Sequence, residues 1–131
     1  MAKSKKSALQ YSLLFGAIYD WFFGLFILFL PSVLAKIIRL DMPAEEVYLR
    51  LNGLLFLIIG AFYFLYWLDK KSYSAVVPIA IGARTSGFLF FLVAWAVFEY
   101  PFTFLLLGIG DGIWAIIHSI LLPGDRAKKK K

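Results

Sequence analysis

Long apolar stretches with few charged residues dominate the pattern of the chain. They lie at about residues 9–30, 45–68, 75–98 and 102–122. A helix of about 22 residues reaches about 33 Å, which is enough to cross a hydrocarbon core of about 30 Å. The four stretches therefore predict an all-α transmembrane bundle of four helices running up-down-up-down, with residues 1–131 forming a single membrane domain.

A shorter segment between the first two spans has a different pattern. Within residues 31–43, which have a proline at each end, four aliphatic residues recur at helical spacing among polar ones: Val33, Leu34, Ile37 and Ile38. This spacing predicts a short amphipathic helix that lies in the membrane interface. An ordered loop is the alternative interpretation of the same segment.

The composition agrees with a membrane protein and narrows its chemistry. Hydrophobic residues make up 62% of the chain, more than a soluble domain of this size can bury, so the excess must face lipid. The absence of cysteine excludes disulfides, thiolate metal ligands and cysteine nucleophiles. No serine–histidine–aspartate order or Walker loop is visible. A non-catalytic role is therefore favoured, and no cofactor is predicted.

The net charge of +6 is explained by membrane topology and does not predict nucleic-acid binding. Basic tails lie at residues 1–7 and 125–131, and ten basic residues fall on one side of the spans: Lys3, Lys5, Lys6, Lys70, Lys71, Arg126 and Lys128 to Lys131. The other side carries only Lys36, Arg39 and Arg50. This bias predicts that both termini are cytoplasmic. The expected location is a bacterial inner membrane, or the endoplasmic reticulum membrane in a eukaryote.

Three ionisable residues fall near mid-depth in the predicted spans: Asp20, Arg84 and Asp111. A charged side chain in the bilayer is costly unless it is paired. Glycines flank Asp20 and Asp111 on their helices, and an alanine and a glycine flank Arg84. Small residues typify faces where helices pack closely. The sequence thus predicts a buried acid–base–acid cluster. It either fixes the packing of the bundle or binds a proton or a polar or ionic ligand.

Four further residues are candidates for the same region. Asn52 lies in the outer half of the second span, where Gly53 and Gly60 favour an inward face. His118 shares a helix face with Asp111; it could relay protons, or lie at the interface bonded to a neighbouring carbonyl.

Tyr19 and Trp114 are the aromatic candidates near this cluster. Aromatic residues at mid-depth could line a pocket for a quinone or a lipid tail, although simple lipid-facing bulk is the alternative. A metal site made from Asp20, Asp111 and His118 is disfavoured.

Several short motifs also point to a known family. They are Arg50-Leu-Asn-Gly-Leu-Leu55, Gly60-Ala-Phe-Tyr63, Trp67-Leu-Asp-Lys-Lys71, Gly82-Ala-Arg84 with Gly87, and Gly110-Asp-Gly-Ile-Trp114. Over residues 11–122 the chain resembles small bacterial four-span membrane proteins of the DoxX-like group. Members of that group include membrane subunits of quinone-linked oxidases, so the resemblance implies an accessory role in a redox complex.

Three functions stay open at this point. The favoured one is a non-catalytic accessory subunit of a larger membrane complex, because the chain is small and its loops are short. The second is an oligomeric transporter of a small solute, proton or ion through the mid-membrane cluster. The third is a protein or enzyme that binds a lipid or a quinone. The expected partners are the bilayer and either a membrane protein or further copies of the chain.

Overall fold

The computed structural model describes residues 6–39, 41–42 and 45–127, with side chains described as far as residue 124. The described residues form five helices: α1 (Ala8–Phe29), α2 (Pro31–Ile38), α3 (Glu46–Leu68), α4 (Val76–Phe98) and α5 (Phe102–Ala127). All but α2 are long and apolar enough to cross a membrane. The predicted fold class is confirmed. Most of the two basic tails, together with Pro43, lies outside the described residues.

The start of α1 and the break before α2 follow from local sequence. The Ser7 hydroxyl accepts a hydrogen bond from the Gln10 backbone at 3.3 Å, and the Gln10 side chain accepts one from the Ser7 backbone at 3.0 Å. This reciprocal capping box satisfies two amides of the first turn. Pro31 then begins α2, where its missing N–H removes no helical bond. The predicted short helix is confirmed as Pro31–Ile38, while its interfacial position stays a prediction.

The end of α5 differs from the sequence prediction. We expected Pro123 and Gly124 to stop the fourth span, but the helix continues through both residues to Ala127. The physical reason is that proline removes one backbone donor while its fixed φ remains compatible with a helix. Gly124 does not adopt the left-handed conformation that ends many helices.

The four long helices form two hairpins. The first hairpin consists of α1, α2 and α3, and the second consists of α4 and α5. α1 packs mainly against α3, and α4 packs mainly against α5, while the hairpins meet less extensively through α1–α5 and α3–α4. No more than a third of any span is buried inside the bundle. The remaining apolar surface fits contact with lipid tails.

Glycines allow α1 and α3 to approach each other at backbone distance. A Cβ atom on Gly53 would lie 2.7 Å from the Leu28 nitrogen and 2.8 Å from the Gly24 carbonyl oxygen. A Cβ atom on Gly60 would lie 2.6 Å from the Trp21 ring. Without side chains at these positions the two helices pack closely, as small residues permit in membranes.

Basic side chains bind backbone carbonyls at both ends of the α1–α3 pair. At one end, Lys6 Nζ donates to the carbonyls of Trp67 at 2.5 Å and Leu68 at 3.0 Å. At the other end, Arg50 donates to the Leu28 carbonyl and forms an ion pair with Glu46 at 2.5 Å. Each cation therefore satisfies carbonyls in the last turn of the neighbouring helix, which have no partner within that helix.

Candidate functional site

The structure brings together the three ionisable residues that the sequence placed at mid-depth. Arg84 on α4 donates from Nη2 to Asp20 Oδ1 on α1, and from Nη1 to Asp111 Oδ1 on α5, each at 2.5 Å. Asp20 is fully buried and Arg84 is 4% exposed. We name these three residues the Arg84 cluster. Because Asp20 belongs to the first hairpin and the other two to the second, the cluster joins the hairpins.

Glycines make room for the polar groups of the cluster. A Cβ atom on Gly87, one turn after Arg84, would lie 2.5 Å from Asp111 Oδ2. A Cβ atom on Gly110 would lie 2.8 Å from the Tyr19 hydroxyl. The Asp111 carboxylate and the Tyr19 hydroxyl therefore occupy space that larger residues at these two positions would take.

Two tyrosine rings enclose the guanidinium. Arg84 Cζ lies 5.6 Å from the centre of the Tyr19 ring and 5.5 Å from the centre of the Tyr63 ring, distances at which a ring attracts a cation. Tyr19 was a candidate from the sequence, whereas Tyr63 was not. The available signal was its spacing, since Tyr63 follows Gly53 and Gly60 on the α3 face that packs against α1.

The charges within the Arg84 cluster do not balance when both carboxyls are ionised. Arginine stays protonated in proteins, so two carboxylates and one guanidinium leave a surplus of one negative charge. The surplus falls on well-buried groups, because Asp20 Oδ2 is buried and has no hydrogen-bond partner among the described residues. The side chain of Asp111 is 17% exposed. Burying an uncompensated charge is strongly unfavourable.

His118 lies in the protein interior, close to the cluster. Its ring is fully buried, stacks on Trp114 at 5.6 Å and meets the edge of Tyr63 at 6.2 Å between ring centres. The ring therefore faces the interior of the bundle, while its depth relative to the membrane interface stays a prediction. The Ser12 backbone faces the ring, but neither ring nitrogen makes a hydrogen bond of normal geometry to a described residue.

Asn52 is not part of the site. Its side chain is exposed on the outer surface of α3, so the predicted inward orientation is wrong. The reason is helical geometry: successive residues point about 100° apart, and Gly53 occupies the position that faces α1.

A shallow groove of about 330 Å³ runs along the outside of α4 and α5. Its lining is apolar, with Phe88, Gly112 and Ile113 among its residues. The Thr85 hydroxyl beside it donates to the Ile81 carbonyl at 2.8 Å, so it is already engaged. An acyl chain suits this lining, and the binding of a lipid or a quinone stays a prediction. Within the described part of the chain, no group of three or more acidic or histidine side chains is placed to hold a metal ion.

Comparison with known proteins leaves the family of the chain open. No protein-family model, curated protein or solved structure matches it. The resemblance to the DoxX-like group and the redox role that it implies therefore stay predictions. The fold itself defines the class: a multi-pass integral membrane protein with four apolar spanning helices.

Proposed function

We propose that this protein transports protons across the membrane and that its proton-binding site is the Arg84 cluster. The observation that supports this proposal is the surplus carboxyl group. A net negative charge near the bilayer centre is expensive, and uptake of one proton neutralises Asp20, Arg84 and Asp111 together. The ground state of the cluster is then neutral and proton-loaded.

Asp20 Oδ2 is the atom that we expect to hold this proton. Asp20 Oδ1 already accepts from Arg84, whereas Oδ2 has no partner among the described residues and is shielded from solvent. Asp111 is the less buried of the two acids and packs against Gly87. Protonation of Asp20 leaves the Arg84–Asp111 pair intact within the second hairpin.

The position of the cluster couples its charge to the packing of the hairpins. An ionised Asp20 attracts Arg84 across the boundary between the hairpins, and a protonated Asp20 attracts it less. Binding and release of a proton therefore change the strength of the contact between the two halves of the bundle. A transporter needs such a link between the occupancy of its site and the arrangement of its helices.

Proton flux into liposomes tests this proposal. The purified protein is reconstituted with a pH-sensitive dye trapped inside, and flux is started with a pH step and a compensating potassium potential. The wild-type protein should conduct protons and Asp20→Asn should not. Asp41→Asn, which removes a carboxylate in the connection after α2, is the matched control and should behave as wild type. Inert wild-type vesicles, or equal flux through Asp20→Asn, would contradict the proposal.

A second function, a subunit of a larger membrane complex, is supported by Asn52. Its amide is exposed on the outer surface of α3. An amide facing hydrocarbon is unfavourable, and a polar group on a neighbouring helix would satisfy it.

Photo-crosslinking in intact membranes separates this second function from the first. A photoreactive residue replacing Leu55, which is exposed one turn after Asn52, should give one specific protein adduct, while the same group replacing Phe90, on the exposed face of α4, should react only with lipid. Asn52→Leu should release that partner during purification in mild detergent. Identical adducts from both positions would argue against a specific partner surface on α3.

A further inference from the structure

A second set of buried polar atoms lies between the Arg84 cluster and the N-terminal end of α1. It consists of the Tyr63 hydroxyl, both ring nitrogens of His118 and the Ser12 hydroxyl, none of which makes a hydrogen bond of normal geometry with a described residue. The three residues are at most 7% exposed. A buried polar group without a partner is unfavourable, so the presence of three such groups in one region indicates a role other than packing.

These groups follow one another in space, although they come from three helices. Arg84 Cζ lies 5.5 Å from the centre of the Tyr63 ring, and the Tyr63 ring lies 6.2 Å from that of His118. The backbone of Ser12 faces His118 in turn. Ser12 is eight residues before Asp20, which is about 12 Å along α1, so the series leads away from mid-depth.

Gly16 on α1 lies beside this series, at ordinary contact distance. A Cβ atom on Gly16 would lie 3.5 Å from Tyr63 Cδ2 and 3.8 Å from His118 Cε1. The surroundings are otherwise apolar, with Leu9 and Leu13 fully buried nearby in the core. The polar groups thus lie in a row that apolar side chains enclose. In such a setting, buried water molecules bridge polar groups that do not reach each other directly.

We propose that Tyr63, His118 and Ser12 relay protons, through bridging water molecules, between the Arg84 cluster and the N-terminal end of the bundle. The proposal rests on the proton uptake by Asp20 proposed above. The charged and titratable groups that face the relay are Asp20 from α1, Arg84 from α4 and Asp111 from α5.

Each step of the relay conserves protons and charge. A water molecule beside Ser12 takes up a proton from the N-terminal side and gives one to the unprotonated ring nitrogen of His118, while the other ring nitrogen releases its proton to a water molecule on the Tyr63 side. The Tyr63 hydroxyl accepts that proton on its oxygen and passes its own proton to Asp20 Oδ2. Reversal of the ring tautomer and of the hydroxyl orientation resets the relay.

The exchange rate of the Asp20 proton provides the test. Infrared spectroscopy of the reconstituted protein follows the stretching band of the protonated carboxyl, assigned by its loss in Asp20→Asn, after transfer to D₂O. We expect His118→Phe to slow the exchange at least about tenfold, since a positioned proton-transfer group typically contributes a factor of about 100 or more. Tyr63→Phe, which deletes only the hydroxyl, should also slow it.

Ser119→Ala is the matched control for these variants. Ser119 is next to His118, but its hydroxyl donates to the Ala115 carbonyl at 2.7 Å and takes no part in the relay. Exchange at the wild-type rate in both His118→Phe and Tyr63→Phe would overturn the relay and leave proton uptake by Asp20 intact. Absence of the carboxyl band from the wild-type protein would overturn the proposed function, and the relay with it.

Discussion

The contact between α1 and α3 and the contact between the two hairpins are held together in different ways. Within the α1–α3 pair, Gly24 and Gly53 bring the backbones together, and the Trp21 indole donates to the Leu57 carbonyl at 3.1 Å. Between the hairpins, fewer residues meet, and the fully buried Asp20 pairs with Arg84. One contact depends on shape and the other depends on charge.

The two contacts therefore differ in how they respond to conditions: the α1–α3 contact is fixed, whereas the contact between the hairpins can change in strength. A contact made by glycine packing does not change with pH or with a bound ion, so it suits the fixed part of a membrane protein. A contact made by a buried ion pair changes strength whenever a proton or a cation arrives. The hairpin boundary is therefore where regulation of this fold is expected, and four substitutions test the contrast.

The largest effect is expected from Arg84→Met. This variant leaves Asp20 and Asp111 buried without a cation, and removing one partner from a buried ion pair typically destabilises a protein by about 3–5 kcal/mol. Thermal or denaturant unfolding in detergent micelles measures the loss. The loss should shrink at acid pH, where the two carboxyls become neutral.

A variant in which the Arg84 cluster carries no charge tests whether the unpaired charges cause the loss of stability. The triple variant Asp20→Asn, Arg84→Met, Asp111→Asn removes all three charges together and should be more stable than Arg84→Met alone, because no unpaired ion remains. If that triple variant folds and also conducts protons, the transport role of the cluster is wrong. If Arg84→Met is as stable as wild type, the hairpins are not held together by charge.

Gly53→Ala should have the next largest effect. The added methyl would lie 2.7 Å from the Leu28 nitrogen, which forces α1 and α3 apart, and overpacking of this kind costs about 1–3 kcal/mol. Gly82→Ala is the matched control, since a Cβ atom there meets nothing within 4 Å. It should be neutral, or stabilising by up to about 1 kcal/mol. Equal unfolding midpoints for the two variants would refute close packing at Gly53.

A smaller effect is expected from Lys6→Met. It removes the donor to the Trp67 and Leu68 carbonyls and a cation that lies 4.8 Å from the centre of the Trp67 ring. We expect a loss of about 1 kcal/mol, because a hydrogen bond from a charged group is stronger than a neutral one but this site is partly open. Hydrogen exchange of the last turn of α3 should rise in Lys6→Met and stay unchanged in Lys71→Met.

The smallest effect concerns the connection between α3 and α4. The Asp69 carboxylate accepts from the Ser72 hydroxyl at 2.6 Å and from the amides of Lys71 and Ser72, and these bonds, the hydroxyl bond foremost, lower the pKa of Asp69 below its ordinary 3.8. The stabilisation is therefore present above pH 3.8 and is lost as the pH falls through the lowered pKa. Ser72→Ala should raise the pKa of Asp69, as measured by carboxyl NMR. An unchanged value would exclude the hydroxyl as the main cause.

The sequence predicted the four spans and the level in the bundle at which Asp20, Arg84 and Asp111 meet, because both follow from counting along a helix. The pairing of Asp20, Arg84 and Asp111 followed from the cost of leaving any of them alone in lipid. The continuation of α5 through Pro123 could not be read in this way, since proline marks a helix end only statistically.

The rotation of each helix was harder to predict. In a soluble helix, polar residues mark the outer face, but here both the lipid-facing and the protein-facing sides are apolar. Only small residues distinguish the two sides. At Asn52 this signal gave the wrong orientation, because the adjacent Gly53 is the residue that faces α1. The neighbours of His118 could not be predicted for a related reason, because Tyr63 and Ser12 come from other helices.

The distribution of charge between the hairpins has a consequence for the biogenesis of the protein. Arg84 and Asp111 can neutralise each other as soon as α4 and α5 have entered the bilayer, whereas Asp20 is synthesised more than sixty residues before Arg84. During translation the first hairpin thus holds an acid whose only ion-pair partner in the described chain has not yet been made. Docking of the second hairpin supplies that partner. The last step of assembly is therefore also the step that pairs Asp20 with a cation.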